Sequence, residues 1–581
     1  SMKLDNDPNK GNSNLELNWA NGSKNTSANG ENFGDTTWGM GPLYNSTSPT
    51  TLEITDTKSE AVFQTENTKV EIVRELKDDN KVIEETYTFT NTSDSEVAYE
   101  EGDLGIYVPF NDYYEASNLA TERRCNTHIW AGENYSYIYA VRMGGNGPHV
   151  GLVLTQGSMA SYGQVGYTRS DSNDRGKFIF NNDAMTLEAD ESYTVSWKIF
   201  AHDGEEDFYK KLDAQTNFVR LESDYYTKEK EKGEAFSITA ISGLDLTGST
   251  LQARKVSYRN KAAATEFPAD DPYSPVYGEP IDIKTTMEDG KLSAEFQPDS
   301  IGEYVVELTT PAGKKAICKL NYVSSMDRLL ETRVNYILDH QQMLDSSDKD
   351  RYGGFVPYNT RTNELETHNN TNDHTGARER IAMPITLALY YQITDDEELK
   401  ARIKTSLELF WEYAKREIIN TTTGQCFDNI NYGGGGREYN SPNYAWMCME
   451  VYKVIGKTEC VDVMMQILRY LRDTYGRRTA YIINMNILEN LEFLYDLGRY
   501  DDYAELYEYY IQCGDWIVED LPNYPSLEVK YEQSIVTPTV ENIAAIYYLT
   551  GDEKYKEAVE THYKRMMALE GNQPSYFQNR I

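Results

Sequence analysis

Short runs of alternating apolar and polar residues fill the first third of the chain. Residues 52–54, 70–73 and 85–90 alternate with period two, and Asn, Asp, Ser and Gly separate these runs. Such alternation is typical of strands with one buried face. Residues 1–205 are therefore predicted to form an antiparallel β-sandwich.

Two further segments precede the C-terminal half. Residues 206–232 are charged and helix-prone and end in an alternating Lys/Glu run at 228–232, which predicts an exposed helical linker. Short strands return over 233–323, and the pair at 302–308 and 315–320 is typical of the last hairpin of an immunoglobulin-like β domain. The pattern thus predicts a multidomain α and β protein.

Beyond Met326 the apolar period becomes helical. Nine helices are predicted, at 326–343, 376–393, 396–418, 442–455, 459–475, 480–497, 500–516, 537–550 and 553–568. Aromatic residues followed by a polar break recur between them at unequal spacing, which favours an α/α toroid over a regular solenoid. A closed toroid of six hairpins needs about twelve helices. Residues 326–581 are therefore predicted to form an open or incomplete toroid.

Composition narrows the possible functions. Asp and Glu outnumber Lys and Arg by 93 to 56, and the net charge of -37 would repel nucleic acid and anionic membrane surfaces. The 46 tyrosines offer stacking faces with a hydroxyl, which suit sugar rings. No run is long enough to insert in a membrane. The first residues lack an apolar targeting segment, which fits a removed signal peptide and an extracytoplasmic location, whether secreted, periplasmic or cell-surface.

The six cysteines have neither the spacing of a zinc site nor that of a disulfide framework. No metal or other cofactor is therefore predicted. Calcium binding stays open, although no EF-type loop is present.

The most informative polar segment is 368–380, just before a predicted helix. It combines imidazoles, amides, a carboxylate and guanidiniums, and its candidate residues are His368, Asn370, Asp373, His374, Arg378 and Arg380. Asp373 or Thr375 alone could cap the helix. Because the segment holds more than capping requires, its side chains are predicted to gather at the mouth of the toroid.

A second segment, 432–446, contains four consecutive glycines and then polar and aromatic residues. Four glycines favour close approach of a ligand or a flexible hinge, and the spacing is not that of a phosphate loop. The candidates here are Tyr432, Arg437, Glu438, Tyr439, Asn443 and Trp446. They are predicted to share the mouth with the first segment.

Three weaker candidates lie elsewhere. His128 and Trp130 belong to a strand of the predicted sandwich and are expected to cover the sugar, although ordinary edge-strand residues would give the same pattern. Glu532 precedes a predicted helix, where a carboxylate is also favourable beside the helix N-terminus.

The chain resembles a known enzyme family in these segments. Residues 127–130, 142–145 and 368–380, with the order of sandwich and toroid, are similar to bacterial rhamnose-glucuronate polysaccharide lyases. The resemblance implies β-elimination on an oligo- or polysaccharide. His374, His368, Tyr439 and Tyr432 are then the candidate catalytic groups, and the remaining candidates bind substrate.

Two alternatives stay open. A glycoside hydrolase needs two carboxyls flanking the scissile bond, and Asp373, Glu438 and Glu532 could provide them. A non-catalytic glycan-binding protein needs only aromatic rings and amides. The sequence does not determine the glycan, the linkage, endo or exo action, or the oligomeric state.

Overall fold

The computed structural model describes most of the chain, namely residues 38–44, 47–79, 81–111, 121, 125–165, 177–215, 217–258, 275–288, 290–359, 363–367, 377, 380–434, 436, 438–481, 483–521 and 533–577. The fold is multidomain α and β. It consists of an N-terminal antiparallel β-sandwich, a small immunoglobulin-like β domain and a C-terminal α/α toroid.

The β-sandwich has one large sheet with strand order β1-β2-β3-β4-β13-β9-β8-β7. The facing layer consists of a three-stranded sheet, β10-β11-β6, and the pair β12-β5. The strands are β1 Thr51–Ile54, β2 Lys58–Gln64, β3 Thr68–Lys77, β4 Val82–Asn91, β5 Val97–Tyr99, β6 Ile106–Asn111, β7 Cys125–Trp130, β8 Tyr137–Arg142, β9 His149–Gln156, β10 Ser161–Val165, β11 Lys177–Asn181, β12 Met185–Leu187 and β13 Ser192–His202.

Alternation in the sequence explains these strands. In β4, Glu85, Tyr87 and Phe89 point into the core and their neighbours are more exposed. Glu85 is fully buried, and it is bound by Arg74 Nε at 2.7 Å and Trp197 Nε1 at 2.7 Å. A buried carboxylate is tolerated because it is paired and hydrogen-bonded.

The immunoglobulin-like domain has two sheets, β14-β16-β21-β20 and β15-β23-β22-β17-β18, with β19 also on β17. Its strands are β14 Val219–Ser223, β15 Thr227–Glu229, β16 Phe236–Ser242, β17 Thr250–Tyr258, β18 Pro275–Tyr277, β19 Ile281–Ile283, β20 Thr285–Glu288, β21 Lys291–Phe296, β22 Gly302–Thr309 and β23 Lys315–Val323.

The prediction of an exposed helical linker over 206–232 is wrong for most of that range. Helix α1, Glu205–Asp213, buries Phe208 and Leu212 against the large sheet. Strands β14 and β15 then belong to the second domain, and β15 pairs in parallel with β23. The charged run at 228–232 resembled a linker because β15 is an edge strand, and edge strands often carry charged side chains where they face water.

All nine helices predicted beyond Met326 are present; the helix predicted at 459–475 has those bounds, and each of the other eight has at least one shifted end. They are α2 Met326–Tyr336, α3 Ala382–Ile393, α4 Glu397–Glu417, α5 Ser441–Ile455, α6 Glu459–Tyr475, α7 Ile487–Asp496, α8 Tyr500–Glu519, α9 Gln533–Thr550 and α10 Glu553–Met567. Shorter elements are the π-helix Ile337–Gln341, the hairpin of β24 Tyr358–Asn359 and β25 Glu364–Leu365, and the 3-10 helices Glu438–Asn440 and Gly476–Tyr481.

The toroid is built from helical hairpins. Helices α3, α5, α7 and α9 pack against one another in that order and form the inner layer, whereas α4, α6, α8 and α10 lie outside. Local signals set these helices: the Asp396 side chain caps α4 by accepting from two backbone amides, and left-handed Gly456 ends α5. Four hairpins are described, and the prediction that the ring is open stays a prediction.

The sandwich and the toroid meet through the chain after α10. The Tyr137 and Tyr209 hydroxyls both donate to the Asn572 carbonyl, at 2.8 and 2.9 Å. The turn between β8 and β9 also contacts α10, because a Cβ on Gly145 would lie 2.3 Å from the Lys564 carbonyl oxygen. These contacts hold the large sheet against one end of the toroid.

Candidate functional site

Inner helices α3 and α5 run parallel. Gln392, near the C-terminal end of α3, donates from Nε2 to Glu450 Oε2 at 2.8 Å, and Glu450 lies in the C-terminal half of α5. The two helices therefore begin at the same end of the toroid. The described residues just before the two helices, 380–381 and 438–440, therefore lie at this end. Most of 368–380 lies outside the described residues, so the meeting of the two candidate segments stays a prediction.

Helices α7 and α9 extend this arrangement. The Asn542 amide of α9 accepts from the Met485 backbone N–H at 2.9 Å and donates to the carbonyls of Ala480 and Ile483, at 3.0 and 2.8 Å. These backbone groups lie just before α7. We define the mouth as the end where α3, α5 and α7 begin, with described residues 377, 380–381, 418–434, 436, 438–440, 476–481 and 483–486.

Many of the predicted site residues lie outside the described part of the chain. They are His368, Asn370, Asp373, His374, Arg378, Arg437 and Glu532, together with the side chain of Tyr439. Their roles stay predictions.

Glu438 is held in an ion pair at the mouth. Arg478 donates to Glu438 Oε2 from Nε at 3.0 Å and from Nη2 at 2.7 Å. The Glu438 side chain is mostly buried, whereas that of Arg478 is half-exposed. Sequence reasoning missed Arg478; an arginine directly after a predicted helix end was the available signal. The ion pair brings a guanidinium and a carboxylate together at the mouth.

Tyr432 has a partner for its hydroxyl. The hydroxyl donates to the Lys415 carbonyl at 2.7 Å, while the ring lies 4.9 Å from Phe427 and stays 42% exposed. A catalytic role would require this hydrogen bond to break or to be shared. The described contact is a structural one, so the catalytic role stays a prediction.

The glycines of the second segment serve the chain's own packing. Gly436 has φ +66°, and a Cβ there would lie 2.2 Å from the Cys426 carbonyl oxygen. The interpretation that these glycines admit a ligand is therefore replaced, at Gly436, by a close approach between two backbone segments.

Asn443 and Trp446 lie on one face of α5 near its N-terminus, and both are half-buried. The indole N–H of Trp446 donates to Glu450 Oε1 at 3.3 Å. Arg380 stands just before α3 and is also half-buried, and its backbone N–H donates to Ala377 O at 3.0 Å. These three predicted residues thus lie at or just inside the mouth.

The prediction that His128 and Trp130 cover the sugar is corrected by their burial. His128 is 1% exposed, and its Nε2 lies 3.1 Å from the Ala568 carbonyl oxygen. Trp130 is buried, with Lys319 Nζ 5.8 Å from its ring centroid. Strand β7 ends the large sheet but has both faces covered, one by the sandwich core and one by the chain after α10. The sequence pattern of a single strand cannot reveal that second cover.

Two carboxylates on the inner helices were missed by sequence reasoning. Glu489 of α7 and Glu541 of α9 are both exposed, on helices whose other faces are buried. Glu541 is nevertheless partly shielded from water, and this partial burial, followed by the charge of Glu489, raises the pKa of Glu541. Two carboxyls in different environments can serve as an acid and base pair in catalysis.

Within the described residues, no three or more His, Cys, Asp or Glu side chains are grouped to hold a metal ion. Calcium binding therefore stays an open expectation. In the same part of the chain, none of the helices combines the length and apolar character that crossing a membrane demands.

Comparison with solved structures finds a match that extends over most of this chain. A polysaccharide lyase superposes with a TM-score of 0.80 at 26% identity, over 91% of this chain and 74% of that chain. A family 76 glycoside hydrolase from a bovine Bacteroides thetaiotaomicron strain reaches a TM-score of 0.32 at 10% identity, over 60% of this chain and 77% of its own. That second likeness is too weak to carry an argument.

No protein-family model and no curated protein sequence matches the chain. The β-sandwich, the α/α toroid and the extensive structural match identify this protein as a carbohydrate-active enzyme.

Proposed function

We propose that this enzyme is a polysaccharide lyase that cleaves a glycan by β-elimination at a uronic acid, such as a rhamnose-glucuronate linkage. The observation that carries the proposal is the match to a polysaccharide lyase at a TM-score of 0.80 over 91% of the chain. The guanidinium groups and amide donors in the two predicted segments, 368–380 and 432–446, support the proposal.

The proposed reaction removes the C5 proton beside a uronate carboxylate. The released electron pair forms a C4–C5 double bond, the C4–O bond breaks, and the leaving oxygen takes a proton. The C5 proton becomes acidic only when donors neutralise the carboxylate. We assign this neutralisation to Arg378, Arg380 and Arg437 with the amides of Asn370 and Asn443. Arg478 is not counted among these groups, because its charge is already balanced by Glu438.

The base must be a neutral histidine or a tyrosinate whose pKa nearby cations lower. His374 and Tyr439 are the first candidates, followed by His368 and Tyr432. The Tyr432 hydroxyl bond to Lys415 makes Tyr432 the weakest of the four. Asp373, Glu438, Trp446 and Glu532 are proposed to contact the saccharide. We also propose an extracytoplasmic location. Whether the enzyme requires calcium is decided by the assay described below.

A glycoside hydrolase is the second candidate, and one observation favours it. Partial burial, followed by the charge of Glu489 on the neighbouring inner helix, raises the pKa of Glu541. A hydrolase needs two carboxyls flanking the scissile bond, one of them acting as a general acid. Glu438 is less suited to that work, because its carboxylate is bound by Arg478.

The test incubates the enzyme with acidic and neutral polysaccharides and follows two signals, the ultraviolet absorbance of an unsaturated uronate and the release of reducing ends. A lyase gives both signals on an acidic glycan, and His374→Ala and Tyr439→Phe lower turnover by orders of magnitude with an unchanged Tm. Arg378→Ala weakens binding and turnover together. Repeating the assay with a chelator decides whether calcium is needed.

Other outcomes point elsewhere. Reducing ends without absorbance, abolished in Glu541→Gln or in Asp373→Asn, establish the hydrolase. If the protein binds a glycan but produces neither unsaturated uronate nor new reducing ends, it is a glycan-binding protein without catalytic activity.

A further inference from the structure

The recurring tyrosines of the toroid are not used by the proposed reaction. They lie near the C-terminal ends of the inner helices, as with Tyr390 in α3, Tyr452 in α5, Tyr495 in α7 and Tyr547 in α9. Because α3, α5 and α7 begin at the mouth, these tyrosines stand at the opposite end. They need a separate explanation.

Four tyrosines at this end form a continuous row. The Tyr495 ring centroid is 5.5 Å from that of Tyr500 and 6.0 Å from that of Tyr503, and Tyr503 is 6.2 Å from Tyr507. The Tyr503 and Tyr507 rings are nearly parallel, with an interplanar angle of 15°. Tyr500, Tyr503 and Tyr507 share one face of α8, since residues three and four apart are neighbours on a helix. We call these four residues the tyrosine row.

Packing explains only half of the row. Tyr503 and Tyr507 are half-buried against the toroid core, whereas Tyr495 is 59% exposed and Tyr500 is 60% exposed. Adjacent exposed aromatic rings are uncommon on a surface that does not bind anything. Tyrosine offers both an apolar face and a hydroxyl, which match the C–H face and the hydroxyls of a sugar ring.

The charges around the row restrict its ligand. Asp496, Asp501 and Glu508 are exposed beside the rings. Arg499, which directly precedes Tyr500, is already bound by Asp502 at 2.6 Å and Asp462 at 2.9 Å. These carboxylates would therefore repel an anionic glycan, whereas they would not repel a neutral saccharide.

We propose that the tyrosine row is a binding site for neutral polysaccharide chains, separate from the mouth. A second copy of the protein fits this surface less well. A stable interface buries about 800 Å² on each partner, far more than a row of four rings supplies. A two-fold contact would also bring the same carboxylates of both copies together. The site would hold neutral stretches of a mixed glycan while uronate linkages reach the mouth.

The test is native affinity electrophoresis in gels that contain galactan, mannan, xylan or polygalacturonate. We expect at least one of the three neutral polymers to retard the wild-type protein. The double variant Tyr495→Ala/Tyr500→Ala should raise the apparent Kd at least tenfold. Tyr500→Trp should keep binding, because a larger ring retains the stacking face. Tyr563→Ala, at a 49% exposed tyrosine on α10, is the matched control and should behave as wild type.

Several results would overturn the proposal. They are no retardation of the wild type by any neutral polymer, retardation by polygalacturonate alone, or equal retardation of the double variant and the wild type. A concentration-dependent dimer that the double variant abolishes, with no glycan retardation, would assign the row to self-association. Retardation measures binding and needs no turnover, so its failure is distinct from failure of the proposed lyase activity.

Discussion

Arg478 donates two hydrogen bonds to a single carboxylate oxygen of Glu438 and so ties the segment before α5 to the segment before α7. Without this pair, a mostly buried carboxylate would lack its counter-charge. The pair therefore joins these two segments and stabilises the mouth.

We expect Arg478→Ala to lower the free energy of unfolding by about 1 kcal/mol, a modest value because the guanidinium is half-exposed and screened by water. Urea denaturation measures this loss. A double-mutant cycle with Glu438→Gln should give a coupling energy clearly above zero. Additive losses would mean that the pair is incidental to stability.

Acid should destabilise the protein through buried histidines. Burial lowers the pKa of His149 to about 4, helped by Arg142. Burial also lowers the pKa of His202 to about 3, with the neighbouring His149 adding to the effect, and that of His562 to about 3, helped by Arg565. The unfolded chain binds protons at these sites below pH ~6.5, whereas the folded chain does not until much lower pH.

Stability from these groups is thus fully present above pH ~6.5 and is lost as the pH falls toward 4 and then 3. Each histidine can contribute up to about 1.4 kcal/mol per pH unit within that window. The measurement is the free energy of unfolding from pH 7.5 to 4.5. His562→Gln should reduce the slope by nearly one proton, and an unchanged slope would refute the assignment.

Gly436 and Gly551 offer a matched pair of left-handed glycines. Gly436→Ala would place a Cβ 2.2 Å from the Cys426 carbonyl oxygen, whereas nothing lies within 4 Å of a Cβ at Gly551. Both variants carry the cost of φ near +65°, about 1 kcal/mol. We expect Gly436→Ala to lose at least about 1 kcal/mol more, by urea denaturation. Equal losses would restore the ligand-approach interpretation of Gly436.

The Asn572 carbonyl should tolerate loss of one tyrosine hydroxyl better than loss of two. Tyr137→Phe or Tyr209→Phe leaves one donor on that carbonyl, and each should cost about 0.5–1.5 kcal/mol. The double variant leaves a buried acceptor unsatisfied. It should therefore cost more than the sum, as thermal unfolding of all four proteins would reveal. Strict additivity would mean that water replaces the hydroxyls.

Local pattern was sufficient for some elements and not for others. The nine helices follow from apolar periodicity and from capping residues such as Asp396, which act within one turn. Strands β14 and β15 were missed because their partners, β16 and β23, lie farther along the chain. The sixth predicted helix began too early, since residues 476–481 form a 3-10 helix and Asn542 of α9 holds the segment that follows.

The sequence by itself determined the class of each domain and the acidic, tyrosine-rich character of the protein, because period and composition are properties of short segments. Tertiary structure decided which side chains are accessible and which meet. His128 became an interior residue when the chain after α10 covered the large sheet, and Glu438 acquired Arg478 from the next hairpin. The pKa of Glu541 is raised by partial burial in the toroid and then by Glu489 on another inner helix. Burial and charge pairing depend on residues far apart in sequence, and only the folded arrangement brings them together.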